Sequence, residues 1–280
     1  MSNWKDLLPQ RDRFYECEDG IIYKCDSTEL IKEFPDDFFD TMLTDPPYNV
    51  SSGKGDIVLK EGLIIRQDFG DWDKGWEDCF DYADWVESWF KDIVKKLKKS
   101  AWFGMFLSYQ MPGYLATVMF PRYNIRFRSI FIMAKSSVCP SVRKINFISA
   151  YEPILIGSKG AGKVKNYLAD IEMRNYMLVP GTGHKETTHP TEKPVQVLKH
   201  LLRVFTNPGD IVIDPFLGSG STIVAAREIG RRWVGIEMNE EYCKMARARV
   251  SWRIPLVIEE GGNGDKGEVL ESLFNEEEDG

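Results

Sequence analysis

The sequence lacks the features that mark disulfide-bonded, zinc-binding and secreted proteins. Its five cysteines, Cys17, Cys25, Cys79, Cys139 and Cys243, are scattered over 280 residues and form no C-x-x-C pair. This scatter argues against a zinc site or a disulfide framework and in favour of a reducing compartment. The first residues also lack the apolar core of a signal peptide. We therefore expect a cytoplasmic protein without a bound metal.

The sequence also lacks a convincing membrane span. Residues 101–120 carry no charge and are long enough to cross a bilayer. However, Ser108, Tyr109, Gln110 and the pair Pro112-Gly113 interrupt the middle of this run. A buried strand over 101–107 and a helix near 114–120 fit the pattern better.

Charge is unevenly distributed along the chain. The net charge is −7, yet residues 120–185 hold eleven Lys or Arg against three acids, and residues 259–280 hold nine acids against one Lys. A basic segment in an acidic protein is a candidate phosphate-binding face, although solvated surface is the ordinary explanation of such a segment. The Gly- and Glu-rich end is expected to be disordered.

Strand and helix patterns alternate along most of the chain. The runs "IIYKCD", "FFDTMLTD", "DIVIDPF" and "RWVGIE" are typical of buried strands, and helical patterns separate several of them. This alternation predicts an α/β fold with a doubly wound, mostly parallel sheet. The runs "IRFRSIFIMAK" and "YEPILIGSK" are expected to pair antiparallel, and residues 159–189 to form an inserted loop region. An amphipathic helix is expected to place six apolar side chains on one face: Phe80, Trp85, Trp89, Ile93, Val94 and Leu97.

The stretch "TDPPYNV", residues 44–50, follows one of these strands. Two successive prolines cannot donate to a sheet ladder, and they hold the local chain rigid. A strand end followed by a stiff turn would explain the pattern without any ligand. The functional interpretation is that Asp45 and Tyr48 are held in place to contact a bound molecule.

A second stretch, "DPFLGSGST", lies between a predicted strand and a predicted helix. Gly218 and Gly220 allow a tight turn and close backbone approach, and the helix N-terminus offers unpaired N–H groups. No Lys follows the loop, which argues against a Walker phosphate-binding loop. Glu237 ends the next strand, where an acid can hold the two hydroxyls of a ribose, or alternatively cap a helix.

Together these segments resemble the S-adenosylmethionine-dependent DNA amino-methyltransferases. "TDPPYN" is similar to their catalytic motif and "DPFLGSGST" to their cofactor motif, and the catalytic motif comes first, as in the permuted beta class. "HPTEKP", residues 189–194, matches a family segment at the same place. The resemblance implies a Rossmann-like, seven-stranded sheet with a small inserted recognition region.

The resemblance also implies residue roles. A base flipped out of the duplex would be received by the tetrapeptide: Asp45 and the Pro46 carbonyl would accept its two amine N–H groups, Pro47 would keep that carbonyl rigid, and Tyr48 would stack on the base. The residues implied for S-adenosylmethionine are Asp26, Asp214, Phe216, Gly218, Ser219, Gly220, Ser221, Glu237, His189, Thr191 and Lys193.

The resemblance divides the chain into four parts. These are a catalytic half over 14–137, a basic target-recognition insertion over 138–188, a cofactor half over 189–258 and an acidic tail over 259–280. We expect Arg143, Lys144, Lys163 and Lys165 to contact DNA phosphates. Double-stranded DNA is the implied partner, with no membrane involved. A homodimer sharing the duplex and a cognate restriction endonuclease are both compatible with this organisation.

Several alternatives stay open from the sequence. The target amine could be adenine N6, which an Asp in the first motif position favours within the family, or cytosine N4. RNA and protein-glutamine methyltransferases use a similar tetrapeptide but place it after the cofactor motif. A non-catalytic nucleic-acid-binding subunit could have lost Asp45 or the glycine loop, and this chain retains both.

Overall fold

A computed structural model describes residues 3–47, 57–58, 64–65, 79–138, 147–180 and 192–252. The strands, numbered along the chain, are β1 (Arg13–Glu16), β2 (Gly20–Lys24), β3 (Phe39–Thr44), β4 (Ile57–Val58), β5 (Ile64–Ile65), β6 (Leu97–Phe106), β7 (Ile125–Lys135), β8 (Tyr151–Lys159), β9 (Tyr176–Val179), β10 (Ile211–Asp214) and β11 (Arg232–Glu237). The strands β4 and β5 form a separate antiparallel pair.

The other strands form one nine-stranded sheet in the order β1-β2-β11-β10-β3-β6-β8-β7-β9. The run from β2 through β6 is parallel throughout, and β8 is antiparallel to both of its neighbours. The predicted mostly parallel sheet and the antiparallel pairing of β7 with β8 are therefore confirmed. The sheet has nine strands, two more than the seven expected, because β1 and β9 extend its two edges.

Helices cover both faces of the sheet. They are α1 (Ser27–Leu30), α2 (Cys79–Lys96), α3 (Met111–Tyr114), α4 (Phe120–Arg122), α5 (Val195–Phe205), α6 (Ser221–Glu228) and α7 (Glu240–Trp252). A π-helical turn, Leu115–Met119, joins α3 to α4. One core cluster packs α2 and the α3–α4 helix against the sheet, and a second packs α5, α6 and α7 against the other face.

The structure corrects several details of the predicted elements. Phe80 is 61% exposed, so it does not belong to the buried face of α2, and Leu97 begins β6 instead of ending the helix. The run 101–120 contributes most of β6 and the helix that follows it. No helix within the described ranges is long and apolar enough to cross a membrane.

The strand β8 lies in the middle of the sheet between β6 and β7. Its residues from Pro153 to Ser158 are buried, as a strand with neighbours on both sides and helices on both faces requires. The predicted insertion 138–188 thus contains a strand of the core sheet. The strand β9, in the region expected to be an inserted loop, was missed because two of its four residues are exposed and its pattern is short.

Gly20 shows how closely the strands are packed. It lies opposite Trp233 across the β2–β11 pair, and the indole of Trp233 is fully buried. A Cβ atom added at Gly20 would lie 2.1 Å from Trp233 Cδ2. No side chain larger than hydrogen fits here unless the indole moves.

We predict that Gly20→Ala lowers the free energy of unfolding by about 1–3 kcal/mol, the usual cost of overpacking a core. Urea unfolding followed by circular dichroism measures the change. The control is Gly113→Ala in α3, where an added Cβ meets no atom within 4 Å and alanine should stabilise the helix by roughly 0.5–1 kcal/mol. Equal stability of Gly20→Ala and wild type would contradict this account of the β2–β11 contact.

Candidate active site at the carboxyl edge of the sheet

Parallel pairing brings the two sequence motifs to one edge of the sheet. The strand β10 lies between β3 and β11, and all three run in the same direction. Asp45 follows β3, whereas Asp214 ends β10 and Glu237 ends β11. In open α/β sheets, ligands bind beyond the carboxyl ends of the strands. The motifs therefore meet where such a site is expected.

The Asp-Pro-Pro segment and the glycine loop are joined by a direct hydrogen bond. The hydroxyl of Thr44 donates a hydrogen bond of 2.7 Å to Asp214 Oδ1, across 170 positions of sequence. Thr44 precedes the Asp-Pro-Pro segment, and Asp214 opens the glycine loop. Because both residues are almost fully buried, this hydrogen bond fixes one motif relative to the other.

Asp214 is a buried carboxyl group with several donors around it. Phe216 N–H donates a 3.1 Å hydrogen bond to the same oxygen, and Thr222 donates as well. Burial, helped by the negative charge of Asp45, outweighs these donors and raises the pKa of Asp214 to about 7. A cation beside this carboxyl would favour its ionised form.

The glycine loop takes a conformation that its sequence allows. Gly218 has φ 51° and Gly220 has φ 86°, both in the left-handed region. Gly220 directly precedes α6, and a Cβ atom at this position would lie 2.8 Å from Ala246 Cβ in α7. A substitution at Gly220 therefore disturbs helix packing as well as any bound ligand.

Glu237 ties the glycine loop to the end of β11. Its carboxylate accepts a 2.8 Å hydrogen bond from Gly218 N–H and another of 2.8 Å from Asn239 N–H. Burial raises the pKa of Glu237 even though these backbone donors favour the charged form. The bond from Gly218 was not foreseen from the sequence, whereas the bond from Asn239, just before α7, is close to the capping alternative. The position of Glu237 at the strand tip agrees with the prediction.

Asp26 lies at the same edge, after β2. Cys25 N–H donates a 3.1 Å hydrogen bond to Glu237 O, which brings the end of β2 against the end of β11. Asp26 is the N-cap of α1 and accepts hydrogen bonds from Thr28 N–H and Thr28 Oγ1. The resemblance implies that Asp26 lies near the adenine of the cofactor. In the structure its side chain already caps the N-terminus of α1.

Two tryptophans of α2 pack against Phe216 of the glycine loop. The ring centroid of Phe216 lies 5.5 Å from that of Trp85 and 5.0 Å from that of Trp89. The helical pattern identified both tryptophans only as core residues. Their contact with Phe216 could not be foreseen, because it depends on how α2 packs against a loop more than 120 residues later.

Lys193 lies against the catalytic motif instead of the glycine loop. Its ammonium group is 2.8 Å from Asp45 Oδ2 and 3.1 Å from Glu152 Oε2, and the residue is only 7% exposed. The resemblance implied that Lys193 contacts S-adenosylmethionine. Glu152 was not recognised at all, because it lies within an otherwise ordinary strand pattern.

Ser219 and Ser221 contact a residue that sequence analysis missed. Arg249 of α7 donates hydrogen bonds to Ser219 O, to Ser219 Oγ and to Ser221 Oγ. The same guanidinium lies 2.8 Å from the carboxylate of Glu192, and both charged side chains are buried. The two serines are therefore part of the loop's internal structure.

The remaining predicted site residues are only partly covered. Pro46 and Pro47 follow Asp45 at the same edge. Tyr48, His189 and Thr191 lie outside the described residues, as do Arg143 and Lys144. Within the part of the chain that is described, no cluster of three or more His, Cys, Asp or Glu side chains could hold a metal ion.

Comparisons with known proteins agree with this arrangement. A family model described as DNA methylase, of the N6/N4 methyltransferase type, matches residues 39–248. This range includes both motifs and most of the sheet. The chain belongs to the N6/N4 DNA methylase family.

Two curated relatives match most of the methylase. The type II methyltransferase M2.LlaDCHI of Lactococcus lactis subsp. cremoris is 27% identical over 253 residues, which cover 85% of this chain and 91% of the relative. The type II methyltransferase M2.DpnII of Streptococcus pneumoniae is 26% identical over 252 residues, with the same shares covered.

Solved structures share the fold. The M1.HpyAVI–SAM complex is 24% identical with a TM-score of 0.61, and the match covers 81% of this chain and 98% of that chain. The PvuII DNA methyltransferase, described as cytosine-N4-specific, is 22% identical with a TM-score of 0.69, and the match covers 86% of this chain and 89% of that chain. The expected Rossmann-like methyltransferase fold is confirmed.

Two basic residues of the methylase do not lie where a DNA face was expected. Lys165 bridges Asp40 and Asp210, at 3.1 and 2.5 Å, and these acids mark the amino ends of β3 and β10. Lys159 lies 2.9 Å from Asp37, just before β3. Both lysines are thus at the edge opposite Asp45. Lys165 was expected to contact DNA phosphates, but its ammonium group is paired with two carboxylates at the edge of the sheet away from Asp45.

The raised pKa of Asp214 predicts how stability depends on pH. In the unfolded chain an Asp titrates near pH 3.9, whereas in the folded protein it titrates near 7. The unfolded state therefore loses its proton first as the pH rises. The stability contributed by the neutral carboxyl is complete below about pH 4 and is lost as the pH rises to about 7.

We predict that Asp214→Asn removes this loss, so that the stability of the variant relative to wild type improves steadily as the pH rises from about 4 to about 7. Urea midpoints measured across this range test it. Thr44→Val, which deletes a donor that lowers the Asp214 pKa, should extend the loss to higher pH. Parallel stability curves for wild type and Asp214→Asn would refute the assignment.

Proposed function

We propose that the methylase transfers the methyl group of S-adenosylmethionine to the exocyclic N6 amine of adenine in double-stranded DNA, in the cytoplasm. The main support is the hydrogen bond between Thr44 and Asp214, which joins the Asp-Pro-Pro segment to the glycine loop. A base held at Asp45 and a cofactor held at the loop would then be neighbours. A cognate restriction endonuclease and a homodimer are further partners in this proposal.

The cofactor assignment rests on the chemistry of the residues at the loop. The ammonium group of the methionine part would be the counter-ion of the buried Asp214 carboxyl and would favour its ionised form, against the burial that raises its pKa. Glu237 and Asp26, at the tips of neighbouring strands, offer carboxylate oxygens for ribose hydroxyls and the adenine. When bound, S-adenosylmethionine would supply a methyl group on a sulfonium, which is an activated leaving group.

In this proposal the tetrapeptide, residues 45–48, binds the base and activates its amine. An exocyclic amine is a poor nucleophile because its lone pair is delocalised into the ring. Acceptors at Asp45 and at the Pro46 carbonyl would bind its two N–H groups, favour a pyramidal nitrogen and aim the lone pair at the methyl group. The prolines restrict the backbone, and Tyr48 would stack on the flipped base at about 1–3 kcal/mol.

The DNA-binding part of the proposal concerns the segments around β8. We propose that 138–150 and 160–188, apart from Lys165, form the recognition region, with Arg143, Lys144 and Lys163 as phosphate contacts. These segments flank a core strand whose first residues lie at the catalytic edge. Lys159 and Lys165 form ion pairs at the far edge, so two of the three remaining candidate contacts, Arg143 and Lys144, belong to the first segment.

The catalytic role of Asp45 gives a direct prediction. Asp45→Asn replaces a charged acceptor with an amide, so methyl transfer at saturating substrates should fall by about 10²–10³-fold. Affinity for S-adenosylmethionine, measured by calorimetry, should change little. The matched control is Asp37→Asn, before the other end of β3, where φ is 51° and Asn is tolerated. Near wild-type turnover in Asp45→Asn would rule out this role.

The identity of the methylated atom is a separate prediction. Adenine N6 is favoured because, within the family, Asp in the first position of the tetrapeptide is the usual mark of adenine enzymes. Cytosine N4 is the second candidate, since the same acceptors could hold that amine and a similar structure is described as cytosine-N4-specific. DNA methylated with labelled cofactor and digested to deoxynucleosides should carry its label in N6-methyl-2′-deoxyadenosine. Label only in N4-methyl-2′-deoxycytidine would select the second candidate.

A further inference from the structure

Lys193 is the central member of a row of charges behind Asp45. Its ammonium group contacts two carboxylates, Asp45 at 2.8 Å and Glu152 at 3.1 Å, and it lies 5.3 Å from the ring centroid of Phe106. Burial disfavours a charged lysine, but the two carboxylates outweigh it and raise the pKa of Lys193 above its ordinary value. The lysine is therefore a fixed cation.

Glu152 extends the row to the antiparallel part of the sheet. It is the second residue of β8, and its other carboxylate oxygen lies 2.6 Å from the ammonium of Lys135, which ends β7. Burial opposes the ionisation of Glu152, yet Lys193 and Lys135 overcome it and lower its pKa to about 2. Charges thus alternate from Lys135 through Glu152 and Lys193 to Asp45.

The arrangement has a physical logic. A buried cation is costly unless its partners offset desolvation, and one carboxylate seldom does so alone. Glu152 provides the second carboxylate, so Lys193 stays charged and in place beside Asp45. An ammonium group can only donate hydrogen bonds. The lysine therefore favours the ionised form of Asp45 and fixes the orientation of its carboxylate.

This geometry also separates Lys193 from a cofactor role. The acid-rich surroundings of its ammonium group would repel the carboxylate of a methionine part. The residue directly before it, Glu192, is the one connected to the glycine loop, through Arg249. Lys193 is directed instead toward the segment that would receive the base.

We propose that Lys193 and Glu152 are positioning residues for methyl transfer: Glu152 holds Lys193, and Lys193 orients Asp45 as the acceptor for the target amine. The proposal rests on the proposed function of Asp45. It assigns to Glu152, about 100 positions from the catalytic motif, an effect on turnover that is transmitted entirely through Lys193.

A double-mutant cycle tests this chain of contacts. Lys193→Met should lower kcat by about a hundredfold, the scale of a misplaced catalytic group, while KM for DNA and Kd for S-adenosylmethionine stay at wild-type values. Glu152→Gln, which keeps the side-chain shape and the lysine, should give a smaller loss of kcat. Because Glu152 acts through Lys193, the double variant should be no slower than Lys193→Met alone.

Several outcomes would overturn the proposal. A raised Kd for S-adenosylmethionine with unchanged kcat in Lys193→Met would make the lysine a cofactor ligand. Independent, additive losses in the cycle would show that Glu152 does not act through Lys193. If Lys193→Met does not fold, as judged by circular dichroism, unchanged kcat in Glu152→Gln refutes the proposal by itself.

Asp45→Asn, measured in parallel, separates this inference from the function on which it rests. An inactive Asp45→Asn with a fully active Lys193→Met would refute only the positioning role. An active Asp45→Asn would instead refute the proposed role of Asp45, and the positioning role with it.

Discussion

The site depends on the parallel pairing of β3 with β10. The loops that follow β3 and β10 are about 170 positions apart in the sequence, so proximity along the chain cannot bring them together. Parallel pairing of the two strands does so, because the carboxyl ends of adjacent parallel strands lie side by side. The buried hydrogen bond from Thr44 to Asp214 fixes this neighbourhood at the level of side chains. The order of the two motifs along the chain is thus immaterial to the site, since the sheet sets their positions in space.

Two neighbouring carboxyl groups at this edge have opposite surroundings. Asp214 is buried among neutral donors, and its pKa is raised to about 7. Asp45 lies against the ammonium of Lys193, a cation that Glu152 holds in place. Differences of this kind allow adjacent acids to take different tasks. In the proposed function one receives the cationic end of the cofactor, and the other remains an acceptor for the amine of the base.

The sequence was sufficient for features that depend on local pattern. Apolar runs predicted seven of the nine strands of the sheet. The glycine spacing predicted a tight turn, and Gly218 and Gly220 are indeed left-handed there. Contacts that depend on the packing of distant elements could not be read in this way. Glu152 and Arg249 have no local sequence pattern that sets them apart from their neighbours. Their importance lies in contacts with residues distant in the sequence, since Glu152 pairs with Lys193 and Arg249 donates to Ser221.

The same limit explains why the "HPTEKP" segment was understood only in part. The segment was predicted to lie near the cofactor. Its two described charged residues, however, contact different parts of the site. Glu192 lies 2.8 Å from Arg249, which also holds the serines of the glycine loop, whereas Lys193 lies 2.8 Å from Asp45.

Two adjacent side chains of this segment therefore contact both motifs at once, Glu192 through Arg249 and Lys193 directly at Asp45. The helix α5 begins directly afterwards, at Val195, and packs its apolar face against the sheet. The segment is thereby anchored on its C-terminal side. In the proposed function, this short stretch with one acid and one base would hold the cofactor loop and the base-binding loop at a fixed separation, which is the geometric requirement of a direct transfer between two bound molecules.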